Sequence, residues 1–173
     1  MTNVNLQDLR ARLAEAPPGP RVEFGVFRGE CLREIARHDG PTIGVDSFAG
    51  MAEPTARDIV NGRQPYPKGR LAAPMAAAAR AAPNALLIKG FVPEVLRQIL
   101  NSDFSFAHVD LDHYAPTRAA LDWLADRMCP GGLIVCDDWF AGQTQLAAGA
   151  INEFAAERGL DLQTKGPMAW MVL

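Results

Sequence analysis

The sequence predicts an α/β protein with a doubly wound, mostly parallel sheet. Short apolar segments of strand character alternate with segments of helical periodicity, and this alternation implies crossover connections and helices on both faces of a sheet. The strand segments are nearly continuous apolar runs, as expected for strands buried on both faces. The chain of 173 residues is 49% hydrophobic, which suits one domain with a full core.

Five strands are predicted in the body of the chain, and two more are predicted to close it as an antiparallel pair. Each of the five is a short apolar run bounded by Gly, Pro or an acidic residue. The predicted strands are residues 21–25, 41–46, 85–89, 104–110 and 133–136, with the closing pair at residues 161–164 and 169–173.

The predicted helices depend on apolar residues at helical spacing and on Pro and Gly at their ends. Leu6, Leu9 and Leu13 share one face of the first helix. Pro83 stops an alanine-dense helix, and Gly159 ends the last one. The predicted helices are residues 5–15, 29–38, 71–82, 92–100, 115–128 and 145–158.

The organisation is that of a single domain over residues 1–173, with a short helical segment over residues 1–20. Residues 47–70 hold several Pro and Gly and show no clear period. Because long irregular loops inside compact domains are usually functional, this loop is expected to serve a site.

Composition excludes several classes of partner. The net charge is -3 and the pI is about 5.6, with no basic block, so no nucleic-acid surface is expected. No apolar stretch reaches membrane-spanning length, and the N-terminus lacks the apolar region of a signal peptide. Cys31, Cys129 and Cys136 lack metal-ligand spacing, so reduced thiols and a cytoplasmic location are expected. The apolar face of the first helix could pack on the same chain or on a second subunit, which leaves a homodimer open.

Four aspartates follow two buried strands. Asp110 and Asp112 close the apolar run 104–109, and Asp137 and Asp138 close the run 133–136. Ligands of open parallel sheets bind outside the carboxyl ends of strands. If the two strands are neighbours, four carboxylates converge, and a divalent cation is the simplest way to keep them ionised. Oxygen-only ligands indicate Mg²⁺ or a similar hard ion.

A glycine-rich turn follows the first strand in the pattern Glu-x-Gly-x-x-x-Gly, with Glu23, Gly25 and Gly29. An acid at a strand end is a poor neighbour for a pyrophosphate and a good partner for an ammonium group. The pattern therefore favours S-adenosylmethionine over a dinucleotide, with Asp46 accepting hydrogen bonds from ribose hydroxyls. The alternative is that both glycines serve only the turn and packing, and that Glu23 is a surface acid.

Several segments together resemble the macrocin O-methyltransferase family. They include Asp-Ser-Phe-x-Gly at residues 46–50 and Asp-x-Asp-x-Tyr at residues 110–114, and they occur in the family's order at residues 22–29, 44–54, 89–96, 108–114 and 130–139. The resemblance implies a metal-dependent class I methyltransferase with a Rossmann-like sheet of seven strands, the last one antiparallel. Members of the family act mostly on sugar hydroxyls of natural products. Only about 20 residues precede the first strand here, where the family usually has a longer segment that covers the substrate.

The resemblance also implies roles for individual residues. Asp112 would be the general base, and the metal ligands would be Asp110, Asp137 and Asp138. The expected S-adenosylmethionine site comprises Glu23, Gly25, Phe27, Gly29, Asp46, Ser47, Gly90, Phe91 and Asp110.

The expected reaction is transfer of a methyl group from S-adenosylmethionine to a hydroxyl of a small molecule, with Mg²⁺ assistance. Asp112 would share a face with Asp110 if the chain stays extended there. His108 is expected to be packed and hydrogen-bonded, whereas His113 could contact substrate or metal. Trp139 and Phe140 could form an acceptor wall or simply pack.

Three other functions are compatible with parts of the pattern. A metal-dependent hydrolase could use the same aspartates, and a protein of this fold could bind the cofactor without methylating anything. A nicotinamide oxidoreductase is disfavoured because the glycine pattern is wrong and no hydride-site pair is evident.

Overall fold

The computed structural model describes residues 5–38, 40–100 and 103–173, and seven strands in this part of the chain form one sheet. The strands are β1 (Arg21–Phe24), β2 (Thr42–Asp46), β3 (Leu86–Lys89), β4 (Phe104–Val109), β5 (Met128–Cys136), β6 (Gln163–Lys165) and β7 (Met168–Val172). Their order is β3-β2-β1-β4-β5-β7-β6. Strands β1 to β5 are parallel, and β7 is antiparallel to both β5 and β6. The predicted fold class and the closing antiparallel pair are confirmed.

Helices cover both faces of the sheet. They are α1 (Leu6–Glu15), α2 (Glu30–Ile35), α3 (Met75–Ala81), α4 (Tyr114–Ala125) and α5 (Leu146–Arg158), with two 3-10 helices at Ala56–Asp58 and Glu94–Gln98. Leu121 of α4 and Ile151 and Phe154 of α5 pack with Phe24 and Ile134 in the larger core cluster. Helices α1 and α2 pack on the opposite face. None of the helices in the described part of the chain has the length and apolar character that a membrane crossing requires.

The apolar face of α1 is buried within the chain. Leu9 and Leu13 are 0% and 1% exposed and pack with Ile35, Phe106 and other residues of α2 and the sheet. Because this face already has a partner, it no longer gives a reason to expect a second subunit.

Several predicted helices are shorter than expected, and the helix predicted over residues 29–38 spans only Glu30–Ile35. The helix predicted over residues 71–82 begins at Met75, because Pro74 precedes its first turn and Leu71 has a left-handed φ of 63°. The helix predicted over residues 92–100 is a single 3-10 stretch, Glu94–Gln98.

Residues 128–132 were predicted as a helix end and a turn, but they belong to β5. Phe104 pairs with Met128 and Phe106 with Leu133, so the register shifts between the two pairs. Gly131, with φ of 78°, donates its N–H to the carbonyl of Leu173 at 2.6 Å. These pairings carry an irregular extension of the sheet past the Pro-Gly-Gly sequence, and α4 ends earlier, at Ala125.

Candidate active site

A cavity of about 490 Å³ opens at the carboxyl ends of the parallel strands. Strand β1 lies between β2 and β4, so the connections leaving β1 and β4 diverge to opposite sides of the sheet. Open α/β sheets bind their ligands at such a crevice. The cavity is lined by residues that follow β1, β2, β3, β4 and β5 and by residues of the loop between β2 and α3.

Asp46 organises one end of the cavity. Its carboxylate accepts the backbone N–H groups of Phe27 at 2.7 Å and of Phe48 at 2.6 Å. Both donors have a left-handed φ, 50° and 53°, so the side chain holds the turns after β1 and β2 against each other. Phe27 and Asp46, both expected at the cofactor, line the cavity.

Ser47, Gly90 and Phe91 also line this end of the cavity. The Ser47 hydroxyl donates to the carbonyl of Gly50 at 2.8 Å, so it shapes the local turn. Gly90 lies close to Val95, where a Cβ would come within 2.8 Å of the valine side chain. Phe91 is 41% exposed and leaves an aromatic surface beside the cavity.

The two glycines of the first turn are needed for close packing within the protein. A Cβ on Gly25 would lie 1.7 Å from the backbone oxygen of Asp110, and φ at Gly25 is 91°. A Cβ on Gly29 would lie 2.9 Å from Cα of Ala78 in α3. Gly25 lines the cavity, whereas Gly29 lies outside its lining.

Glu23 was expected to meet the ammonium group of the cofactor, but its side chain is directed elsewhere. It is 1% exposed, lies outside the cavity lining, and accepts a hydrogen bond from Nδ1 of His108 at 2.9 Å. The two residues are paired in register on β1 and β4, which places an acid and an imidazole side by side inside the protein. His108 is thus packed and hydrogen-bonded, as predicted.

The acids after β4 and β5 converge as predicted, but only three of the four form a close group. Oxygen atoms of Asp110, Asp112 and Asp138 all lie within 4.8 Å of one another. Asp137, predicted as a metal ligand, lines the cavity but does not belong to this group.

Asp112 reaches the group by a turn. It was expected to share a face with Asp110 in extended chain, but β4 ends at Val109 and φ at Asp112 is 57°. Asp138, at φ of 58°, is also left-handed. Aspartate tolerates this conformation better than most residues, so two tight turns direct the carboxylates to one point.

Burial raises the pKa of all four acids after β4 and β5, and repulsion from Asp138 raises it further for the other three. Burial first, and then the charge of Asp138, raises the pKa of Asp112 to about 8. The same two causes raise the pKa of Asp110 well above its usual range and that of Asp137 to about 6, and burial raises the pKa of Asp138. Without a cation, part of this cluster therefore holds its protons at neutral pH.

The donor set fits a hard divalent cation. All the donors are carboxylate oxygens, which Mg²⁺ prefers. Three of them lie close enough to share one ion, and a double positive charge would offset the repulsion that raises their pKa values.

The loop between β2 and α3 supplies residues that motif reasoning did not single out. The Tyr66 hydroxyl hydrogen-bonds the Asp112 carboxylate, and burial raises the pKa of Tyr66. Nε2 of His113 donates to the carbonyl of Tyr66 at 2.9 Å. Arg70 lies over the Tyr66 ring, 5.7 Å from its centroid, and also lines the cavity. The only signal for these residues was their place in a long irregular loop.

Asp58 fastens the same loop to the start of α4. It is 1% exposed, and its Oδ1 accepts the N–H of Tyr114 at 2.7 Å. Its Oδ2 accepts the N–H and the hydroxyl of Thr55. Tyr114 is the first residue of α4, the helix that follows Asp112. The loop is therefore anchored next to the acid group.

The aromatic pair after Asp138 contributes nothing to the cavity lining. Nε1 of Trp139 donates to Asn152 at 2.8 Å, and the ring packs against the larger core cluster. Phe140 is 48% exposed. Neither residue forms the wall that sequence reasoning considered.

Comparison with known proteins identifies relatives of this chain. The profile of a family described as a methyltransferase domain matches residues 22–139, more than half of the chain. A Streptomyces olivaceus protein, 8-demethyl-8-(2,3-dimethoxy-alpha-L-rhamnosyl)-tetracenomycin-C 4'-O-methyltransferase, is 28% identical over 144 residues. The match covers 73% of this chain and 55% of that protein, so this chain spans about half the length of its curated relative.

Solved structures share the fold at low identity. The O-methyltransferase NovP superposes with a TM-score of 0.79 at 21% identity, covering 96% of this chain and 78% of NovP. An O-methyltransferase from Bacillus cereus, solved in complex with SAH, gives a TM-score of 0.64 at 16% identity and covers 100% of this chain and 82% of its own. These similarities extend over nearly the whole sheet and its helices.

Proposed function

Because this chain belongs to the methyltransferase-domain family, we propose that it transfers the methyl group of S-adenosylmethionine to a hydroxyl of a small molecule with the help of Mg²⁺. The observation that carries this proposal is the group of Asp110, Asp112 and Asp138, whose oxygens lie within 4.8 Å of one another beside the cavity. A cation site and a cofactor-sized cavity occur together at the switch point of the sheet.

The cofactor end of the cavity is assigned to the residues around Asp46. Gly25, Phe27, Ser47, Gly90 and Phe91 line that end. Each oxygen of Asp46 accepts one backbone N–H and keeps lone-pair capacity for a ribose hydroxyl. The complex of the Bacillus cereus protein with SAH supports a donor of this class.

The acids at the other end of the cavity have two proposed roles: two of them bind a cation, and one accepts a proton. When bound, S-adenosylmethionine supplies the methyl group, and Mg²⁺ supplies the positive charge that makes the acceptor hydroxyl more acidic. Asp110 and Asp138 would hold the cation. Asp112 presents one carboxylate oxygen to the same group and takes the hydroxyl proton on the other.

Tyr66 and His113 hold the acceptor side of the cavity in place. The Tyr66 hydroxyl orients the Asp112 carboxylate, and the bond from His113 to the Tyr66 carbonyl fixes the loop. Asp112 is 8% exposed, so its surroundings exclude most water from the proton-transfer step.

The acceptor is proposed as a small hydroxylated molecule in the cytoplasm. The Streptomyces olivaceus relative is named for methylating the 4'-hydroxyl of a tetracenomycin derivative, which supports an oxygen acceptor. Cys31, Cys129 and Cys136 are free thiols, which is consistent with a reducing compartment.

Calorimetry with S-adenosylhomocysteine and Mg²⁺ tests the two sites separately. We expect the wild-type protein to bind both, Asp46→Ala to lose most cofactor affinity, and Asp138→Asn to lose most cation affinity. Asp137→Asn should keep cation affinity, because Asp137 lies outside the group. Asp161→Asn, an exposed acid far along the chain, is the matched control.

Turnover separates the remaining functions. A screen of sugars, catechols and other hydroxylated molecules with labelled S-adenosylmethionine should find a methylated product. Cofactor binding with no product from any acceptor would indicate a binding protein of this fold. Cation binding without cofactor binding would indicate a hydrolase and would end the proposal.

A further inference from the structure

A second cluster of side chains of the types that bind metals lies inside the protein, outside the cavity lining. It consists of Glu23 of β1, Cys31 of α2 and His108 of β4. One donor atom from each residue lies within 4.8 Å of the other two. The three side chains are 1%, 4% and 0% exposed.

Two polar atoms of the cluster lack hydrogen-bond partners. Nδ1 of His108 is bonded to Oε1 of Glu23, but Nε2 of His108 and Oε2 of Glu23 have no partner among the residues that the structure describes. A buried polar group without a partner costs roughly 1–3 kcal/mol. Two such atoms in one buried cluster require an explanation.

The charges around the cluster favour a cation. Burial raises the pKa of the Cys31 thiol, and the negative charges of Glu23, Asp110 and Asp137 raise it further. Burial also raises the pKa of Glu23. A doubly charged cation bound by the Cys31 thiolate, the Glu23 carboxylate and a neutral His108 would leave the cluster with no net charge.

From this geometry we propose that Glu23, Cys31 and His108 form a buried zinc site that ties β1, α2 and β4 together behind the glycine turn. Thiolate, imidazole and carboxylate are the ligands that Zn²⁺ takes in proteins. Bonds of about 2.0–2.3 Å at tetrahedral angles place donors roughly 3.4–3.8 Å apart. Donor separations of up to 4.8 Å therefore need a contraction of about 1.4 Å at most.

This site is chemically distinct from the acid cluster. The sulfur donor and the imidazole select a softer metal than the carboxylates of Asp110, Asp112 and Asp138 do. Because the cluster is fully buried, the metal would enter as the chain folds, and bound zinc would then resist removal from the native protein.

Cobalt spectroscopy of the full chain tests the site without an activity assay. The protein is unfolded in chelator, freed of metal, and refolded with Co²⁺. We expect one equivalent of the bound Co²⁺ to give a near-ultraviolet thiolate-to-cobalt charge-transfer band and the intense visible bands of low-coordinate cobalt. Zn²⁺ added during refolding should abolish them. A wild-type spectrum without the thiolate band overturns the proposal, and this measurement needs no variant.

Substitutions then assign the sulfur. Cys31→Ser should lose the charge-transfer band, whereas the control Cys129→Ser should keep it at full intensity. Asp110→Asn/Asp138→Asn, which removes the acid cluster, should also keep the band. A band that persists in Cys31→Ser, or that disappears in the acid-cluster variant, contradicts the assignment.

Discussion

Asp112 combines three properties at one residue: a left-handed backbone, a buried side chain and a pKa raised to about 8 by burial and by Asp138. A carboxylate with a raised pKa is a stronger base than an exposed one. Under the proposed function, its position beside Tyr66 and the acid group would place that basicity next to the acceptor hydroxyl.

Asp112→Asn should reduce methyl transfer by about 100-fold or more, because general-base catalysis contributes on that scale. Binding of S-adenosylhomocysteine should stay within about twofold of wild type, since Asp46 and the glycine turn are untouched. Single-turnover kinetics with labelled S-adenosylmethionine measure the first quantity and calorimetry the second. Unchanged turnover in this variant would remove Asp112 from the mechanism.

Gly25→Ala should destabilise the protein by more than about 3 kcal/mol, because a left-handed φ and a steric clash occur together. The added Cβ would meet the Asp110 backbone oxygen at 1.7 Å. Gly142→Ala is the matched control: φ is 73°, and nothing lies within 4 Å of the added Cβ. It should cost only about 1 kcal/mol. Equal midpoints for the two variants in urea denaturation would show that the clash is relieved.

At the residue scale, the sequence indicated that the acids after β4 and β5 converge, but not which three of them form the closest group. Asp110, Asp112 and Asp138 follow strands, and strand ends can be read from apolar runs. The turns at Asp112 and Asp138 depend on tertiary contacts, so the apolar runs of the sequence could not predict them. For the same reason Glu23, predicted to face the cofactor, instead pairs with His108 on the neighbouring strand.

At the scale of elements, the loop between β2 and α3 was expected to serve a site. Its contacts with the rest of the protein were not predicted. Its Pro and Gly content predicted irregular structure over residues 47–70. Local sequence cannot reveal that Asp58 accepts the N–H of Tyr114, because the two residues are far apart in the chain.

Asp58→Ala should loosen this loop and destabilise the protein by about 1–2 kcal/mol, since the part-buried N–H donors of Thr55 and Tyr114 lose their acceptor. Trypsin should then cleave faster at Arg63, Lys68 or Arg70. Glu53→Ala is the control, because the Glu53 side chain is 74% exposed. If the two variants are cleaved at the same rate, Asp58 does not fasten the loop.

The positions of Pro and Gly predicted only some of the helix and strand boundaries correctly. Pro74 moved the start of α3 past the predicted residue, as its missing N–H requires. The Pro-Gly-Gly sequence at residues 130–132 predicted a turn, but bonds to Phe104 and Leu173 extend β5 through it. Pairing across the sheet outweighed the local signal there.

At the scale of the whole molecule, the acid cluster should make stability depend on pH when no divalent cation is present. The pKa values of Asp112 and Asp137 rise to about 8 and about 6 in the folded protein, so the folded state holds more protons than the unfolded state below those values. The stabilisation is fully present below the unfolded pKa and is lost as pH rises through the folded pKa.

In chelator, Tm should therefore fall by about 5 °C or more between about pH 6 and about pH 9. Saturating Mg²⁺ should flatten this dependence, and so should Asp112→Asn/Asp138→Asn. Differential scanning calorimetry across the pH range measures both effects. A Tm that rises with pH in chelator would mean that the carboxylates are stabilised by charges other than a bound cation.

The overall architecture was predictable because alternating strands and helices allow few arrangements. The order of the sheet was harder to predict, since it depends on which connections cross at β1. The convergence of acids followed from the residues after β4 and β5, whereas the cavity-lining residues Tyr66 and Arg70 come from a segment without periodic structure.

The place of β7 in the sheet has a consequence for biosynthesis. This strand is the last of the seven in the chain, yet it lies between β5 and β6 and pairs Met171 with Ile134. During synthesis on the ribosome, the edge of β5 that pairs with β7 therefore stays unpaired until residues 168–172 leave the ribosome. Unpaired apolar strand edges promote aggregation with other chains. We therefore expect chaperones that hold unfolded chains to bind nascent chains that lack β7.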